Sequence, residues 1–133
     1  MVYVWVAIGS ALGGMARYWL TLAVAAATGL GFPWGTILIN IVGSFVIGFF
    51  ATLTGMEGRL GVPGDVRTFV ITGLCGGFTT FSAFSLQTFE LARDGRWPQA
   101  LGNIALSLAL CLLAVSLGYF AAAAINGGVK AGG

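Results

Sequence analysis

The sequence predicts an all-α membrane protein with four transmembrane helices per subunit, the third broken at mid-membrane, and two subunits paired antiparallel as a dual-topology homodimer. Three observations carry this expectation. The chain of 133 residues is 58% hydrophobic and only 8% charged, with a mean hydropathy of +0.97, whereas a soluble domain holds about 25% charged residues. Its charges fall mostly in three short places and leave four apolar segments, each about 20 residues or a little longer, the length that crosses a hydrocarbon core. Within the third segment, Gly73 to Phe84 reads Gly-Leu-Cys-Gly-Gly-Phe-Thr-Thr-Phe-Ser-Ala-Phe, which a plain spanning helix has little use for.

The first span is expected over about residues 3–27. Val24 to Ala27 imitates a signal-peptide cleavage site, but the start lacks a basic region and Arg17 sits near the far end of the apolar run, so a retained span is the better reading. Gly9 and Gly13, and Ser10 and Gly14, are small residues four apart that let another helix approach closely. Arg17 is the one charge well inside a span; it reads as an orienting anchor beside Tyr18 and Trp19 or as a direct contact for a permeating anion.

After the tight connection Gly29 to Pro33, the second span covers about residues 34–54. Thr36, Asn40 and Ser44 stand four apart and form one polar stripe, which cannot face lipid. Mid-span asparagine is either glue between helices or the lining of an aqueous path. The longest loop, Gly55 to Asp65, carries Glu57, Arg59 and Asp65.

The third span is expected over about residues 66–92, with its break at Gly76-Gly77, because glycine is a poor helix former and the β-branched Thr79 and Thr80 add little. Backbone groups freed at that depth must face protein, an ion or a water-filled cavity. Broken helices of this kind recur in ion sites. Beyond the break, Phe81 and Phe84 share a face, with Ser82 and Ser85 on a neighbouring polar line.

Glu90, Arg93, Asp94 and Arg96 make a short polar turn, and the fourth span follows over about residues 97–124. There Asn103, Ser107 and Cys111 make a second polar stripe that could oppose the first. The Gly-rich residues 126–133 read as a flexible tail outside the single four-helix domain.

Basic residues divide evenly between the two faces: Arg59, Arg67 and Lys130 on one, Arg17, Arg93 and Arg96 on the other. The positive-inside rule then gives almost no preferred orientation, and such a chain can insert both ways. Four thin helices rich in Gly and Ala enclose too little interior for a lined pore, so an antiparallel homodimer is expected. A two-fold axis sets the two breaks beside each other, where carbonyl oxygens suit a hard cation such as sodium.

Cys75 and Cys111 lie inside predicted spans and offer neither a disulfide framework nor metal-ligand spacing. Histidine is absent, which removes the commonest general base, and an enzyme is not expected. A proton-coupled antiporter of the small four-helix type would need a membrane-embedded carboxylate, yet Glu57, Asp65, Glu90 and Asp94 all lie in loops or at span ends. A passive assembly subunit explains the glycines but not the polar stripes or the broken helix.

The sequence resembles the Fluc or CrcB fluoride channels over nearly its whole length. The motifs are Gly9-x-x-x-Gly13-x-x-x-Arg17-Tyr18, then Pro33-x-Gly35-Thr36-x-x-x-Asn40-x-x-Gly43-Ser44-Phe45, then Gly76-Gly77-Phe78-Thr79-Thr80-Phe81-Ser82-x-Phe84, each in the expected span and order. The resemblance implies a fluoride channel of the bacterial inner membrane, exporting fluoride passively through two pathways lined by both subunits, with lipid around it and no nucleic-acid partner. It implies Phe81 and Phe84 as pore phenylalanines, Asn40 as the pore asparagine, and Thr80, Ser82, Asn103 and Ser107 as polar lining. Carbonyls of Gly76 and Thr79 would hold a structural sodium ion at the dimer interface. Ala83 stands where the family commonly has threonine, Asn103 where tyrosine is frequent, and Cys111 where a small or hydroxyl residue is usual.

Overall fold

A computed structural model describes residues 1–56 and 58–132, with side chains through residue 127. The described residues are helical with short connections. Helix α1 spans Val2–Thr28 and ends at Gly29, whose φ of +80° favours glycine and lets its N–H return to the Ala25 carbonyl at 2.8 Å. Helix α2 spans Trp34–Leu53. Arg67 meets its C-terminal end, donating from Nη2 to the Ala51 carbonyl at 3.3 Å and from Nε to the Thr54 hydroxyl at 3.2 Å, a cation at the negative end of a helix.

The third segment comes in two pieces. The first, α3, covers residues 64–78 as an α-helical turn Gly64–Thr68, a wide π-helical stretch Phe69–Cys75 and a short α-helical turn Gly76–Phe78. The second, α4, spans Phe81–Arg93. Gly95, with φ of +78°, turns the chain into α5, Trp97–Gly132.

Three segments, Trp34–Leu53, Gly64–Arg93 and the fourth from Trp97, are long and apolar enough to cross a membrane. Helix α1 is long enough at 27 residues, but Arg17 and its small residues make it less apolar. Many large apolar side chains point outward, Leu112 at 65% and Phe120 at 64% exposure among them. That arrangement suits lipid as solvent and would be unfavourable in water.

Glycine seams set the packing. Helix α1 lies against α3, where a Cβ on Gly9 would fall 2.7 Å from Phe69 O and one on Gly77 would fall 2.6 Å from Ser10 O. Among the described residues helices α2 and α5 make the most extensive contact, with Gly48 against the Val115 carbonyl and Gly118 against that of Phe45. Backbones approaching this closely gain dispersion contacts that larger residues would forbid.

One expectation is corrected. The helix is interrupted at Thr79–Thr80 rather than at Gly76-Gly77, for both glycines hold right-handed helical geometry within Gly76–Phe78. Gly77 serves close packing instead of breakage, and the extended residues are the β-branched threonines. The fourth helix runs through Gly132, longer than the expected span of about residues 97–124. Asn126 ties it down, accepting from Arg59 N–H at 2.6 Å and donating to Thr52 O at 3.1 Å.

Candidate functional site

The site is built on the interruption. Thr79 has φ −84° and ψ 159°, and Thr80 has φ −152° and ψ 113°, both extended. An extended pair in the middle of a span removes its backbone groups from the helical ladder, and a side chain of α2 takes over part of the work. Asn40 Oδ1 accepts from Thr80 N–H at 2.8 Å, while Asn40 Nδ2 donates to Thr80 O at 3.0 Å. Because the backbone partners are one donor and one acceptor, the amide orientation is fixed, and one Nδ2 proton remains for another partner.

Thr80 also caps α4, its Oγ1 accepting from Ala83 N–H at 3.0 Å, the usual role of a threonine before the first helical turn. Thr79 folds back on the preceding turn, with N–H and Oγ1 donating to Cys75 O at 3.0 and 2.9 Å. These choices free two carbonyls. The helical donor for Gly76 O would be Thr80 N–H, now given to Asn40; that for Thr79 O would be Ala83 N–H, now given to Thr80 Oγ1. A third carbonyl, Gly77 O, receives Arg17 Nε at 3.2 Å.

Beside the interruption lies a cavity of about 300 Å³. Its walls bring together Asn40 and Ser44 from α2, Gly76, Thr79 and Thr80 from the third segment, Phe81 and Phe84 from α4, and Ser107 and Cys111 from α5. The two polar stripes therefore meet across one space, though Thr36, buried at 5% exposure, lies on a separate recess with Gln87 and Glu90. The Phe81 and Phe84 rings stand 5.4 Å apart at 48°. Phe81 is 75% exposed.

Two residues anticipated as lining stand outside this cavity. Ser82 is exposed, 3.3 Å from Thr80 Oγ1. Asn103, at 1% exposure, is sealed between helices, where Nδ2 donates to Thr88 Oγ1 at 2.8 Å and Oδ1 accepts from Ser107 Oγ at 3.3 Å. Arg17 reaches the site from α1 and binds a backbone carbonyl rather than the cavity. Thr88 escaped the sequence reading because a lone threonine on an otherwise mixed helix face carries no period. Among the described residues no cluster of three His, Cys, Asp or Glu could hold a metal ion.

Residues 4–119 match the family described as "CrcB-like protein, Camphor Resistance (CrcB)". A Methylocella silvestris protein named "Fluoride-specific ion channel FluC" is 63% identical over 126 residues, covering 95% of this chain and 96% of the relative. Proteins of the same name from Paramagnetospirillum magneticum and Rhodospirillum rubrum are 56% and 55% identical, covering 95% and 97% of this chain and 98% and 100% of theirs. These relatives are named as ion channels, a non-enzymatic class. With such relatives and three helices able to span, the chain is a multi-pass membrane protein, and it belongs to the CrcB family.

Proposed function

We propose that the protein is a fluoride-selective channel that lets cytoplasmic fluoride leave passively down its electrochemical gradient. One observation carries the reading: hydrogen-bond donors without fixed charge and two phenylalanines converge on a single cavity beside an interrupted span. Fluoride is small and strongly hydrated, so a narrow passage must replace part of its water shell. The spare Asn40 proton and the Ser44 hydroxyl supply donors, and neutral donors hold an anion weakly enough to release it. Phenyl rings carry a positive edge, and Phe81 and Phe84 turned edge-on would meet an anion favourably while narrowing the path. Ser82 and Thr80 would extend the polar line along α4.

The functional unit in this reading is an antiparallel, dual-topology homodimer in which each subunit contributes four spans and two pathways run between the subunits. The 75% exposure of Phe81 supports a second copy, since the ring lines the cavity yet lacks cover on its other side. The even division of basic residues supports insertion in both senses.

A structural sodium ion at the dimer interface belongs to the same reading. The donors fit: Gly76 and Thr79 carbonyls have lost their helical partners to Asn40 and Thr80, and unwound backbone carbonyls are a recurring sodium ligand in membrane proteins. Bound there, sodium would neutralise converging carbonyl dipoles and hold two subunits together.

The decisive experiment uses potassium-loaded liposomes with valinomycin, followed by fluoride and chloride electrodes. Rapid fluoride loss without chloride loss is the expected result. Efflux that requires a proton gradient would replace the channel with a coupled exporter.

A further inference from the structure

The polarity of one hydrogen-bond chain follows from a backbone carbonyl. Thr88 Oγ1 lies 2.7 Å from Phe84 O; a carbonyl only accepts, so the Thr88 proton is committed there. Asn103 meets the same threonine oxygen at 2.8 Å. With the threonine proton already used, the Asn103 atom in that contact has to be the donor, Nδ2. Its Oδ1 then faces Ser107 Oγ at 3.3 Å, and Ser107 supplies the proton. Asn103 is 1% exposed, so bulk water cannot re-satisfy a broken link, and a buried amide left unpaired is costly.

Ser107 has one proton to give. Since that proton goes to Asn103, anything else that meets Ser107 Oγ must itself be a donor. We propose that Thr88, acting through Asn103, is a positioning residue that presents Ser107 to the pathway as a hydrogen-bond acceptor, so that a water proton rather than the anion rests against it. This inference rests on the channel reading above. It divides the cavity by chemistry: the α2 wall, with Asn40 and Ser44, donates to the anion, whereas the α5 wall holds a water. That water gives one proton to Ser107 and keeps a second for the anion, which carries the ion past the α5 side partly hydrated.

The test is fluoride efflux from liposomes with wild type, Thr88→Ser, Thr88→Val, Ser107→Ala and the double variant Thr88→Val with Ser107→Ala. Thr88→Ser keeps the hydroxyl and is expected to match wild type. Thr88→Val is expected to lower efflux about fivefold, within the range that interhelical hydrogen bonds carry in membranes. In the Ser107→Ala background the same change is expected to do nothing further, because the acceptor it orients is gone. An equal effect in both backgrounds, or none in either, overturns the proposal.

A second measurement does not need conduction. The Asn103 side-chain amide protons, followed by NMR in detergent and assigned with Asn103→Gln, should keep a hydrogen-bonded resonance in Ser107→Ala and in Thr88→Ser. Loss of that resonance in Ser107→Ala would mean the amide is reversed and would overturn the proposal even if Thr88→Val fails to fold. Wild type without fluoride efflux would remove the channel reading, while the NMR result would still decide the direction of the chain.

Discussion

Arg17 and Gly77 are sixty positions apart, and the guanidinium Nε of the first donates to the carbonyl of the second at 3.2 Å. Gly77 lies on the last turn of α3, where the helical donor that would reach its carbonyl, Phe81 N–H, is beyond the interruption. A cation at the end of a helix meets both an orphan carbonyl and the negative end of the dipole. Arg17→Leu is expected to lower unfolding stability in detergent by about 1 kcal/mol, a charged hydrogen bond discounted for its partial exposure. Unchanged denaturant unfolding would remove any stabilising weight from this contact.

Gly77→Ala tests the seam between α1 and α3. The added Cβ would sit 2.6 Å from Ser10 O, so one helix must shift, at about 1–3 kcal/mol for overpacking. The obstacle is backbone, and Ser10→Gly is therefore expected not to rescue it. Gly14→Ala, with nothing within 4 Å of the new Cβ, is the matched control. Thermal unfolding of the three variants decides, and rescue by Ser10→Gly would contradict the packing account.

Asn40 holds both polar groups of Thr80. Asn40→Leu leaves an N–H and a carbonyl unpaired, about 1–3 kcal/mol each where water cannot enter. Asn40→Asp keeps the acceptor but sets a carboxylate oxygen against the Thr80 carbonyl. Both are expected to lower fluoride efflux at least about tenfold, a step of ~1.4 kcal/mol in the barrier. Efflux near the wild-type rate in Asn40→Leu would show that the interruption maintains itself without α2.

Phe81→Ile and Phe84→Ile remove the aromatic edge while keeping an apolar side chain. Each is expected to slow fluoride efflux from liposomes by about two- to tenfold, the step that aromatic contacts of about 0.5–1.5 kcal/mol supply. Undiminished efflux in both variants would take the phenylalanines out of the mechanism.

Sodium removal bears on the carbonyls of Gly76 and Thr79. Long dialysis into a sodium-free buffer of a large organic cation is expected to weaken the dimer and slow efflux, and restored sodium is expected to recover both, since a ligand bound only by the assembled state stabilises it by mass action. A dimer that persists with full activity would leave the freed carbonyls without an ion to hold.

The interrupted third span was legible from Gly73 to Phe84, but its location was not. Sequence cannot distinguish a glycine that breaks a helix from one that lets a helix approach, and Gly77 is of the second kind because Ser10 lies against it. The extended Thr80 is paired with Asn40, 40 positions earlier, a contact that no local propensity contains. Periodicity placed Asn40, Ser107 and Asn103 on polar stripes. It could not tell that Ser107 lines the cavity while Asn103, one turn away, is sealed against Thr88, because a helix face is defined without its neighbour. The π-helical stretch Phe69–Cys75 left no signature in the residues.

The Asn40 amide pairs with the N–H and the carbonyl of Thr80, so the third span is tied to α2 at the point where it leaves the helical ladder. Helix α4, with Phe81 at its head, packs chiefly on α5, while α3 packs chiefly on α1. One side-chain amide from a neighbouring helix thus stands in for the two backbone partners that an unbroken helix would have given Thr80.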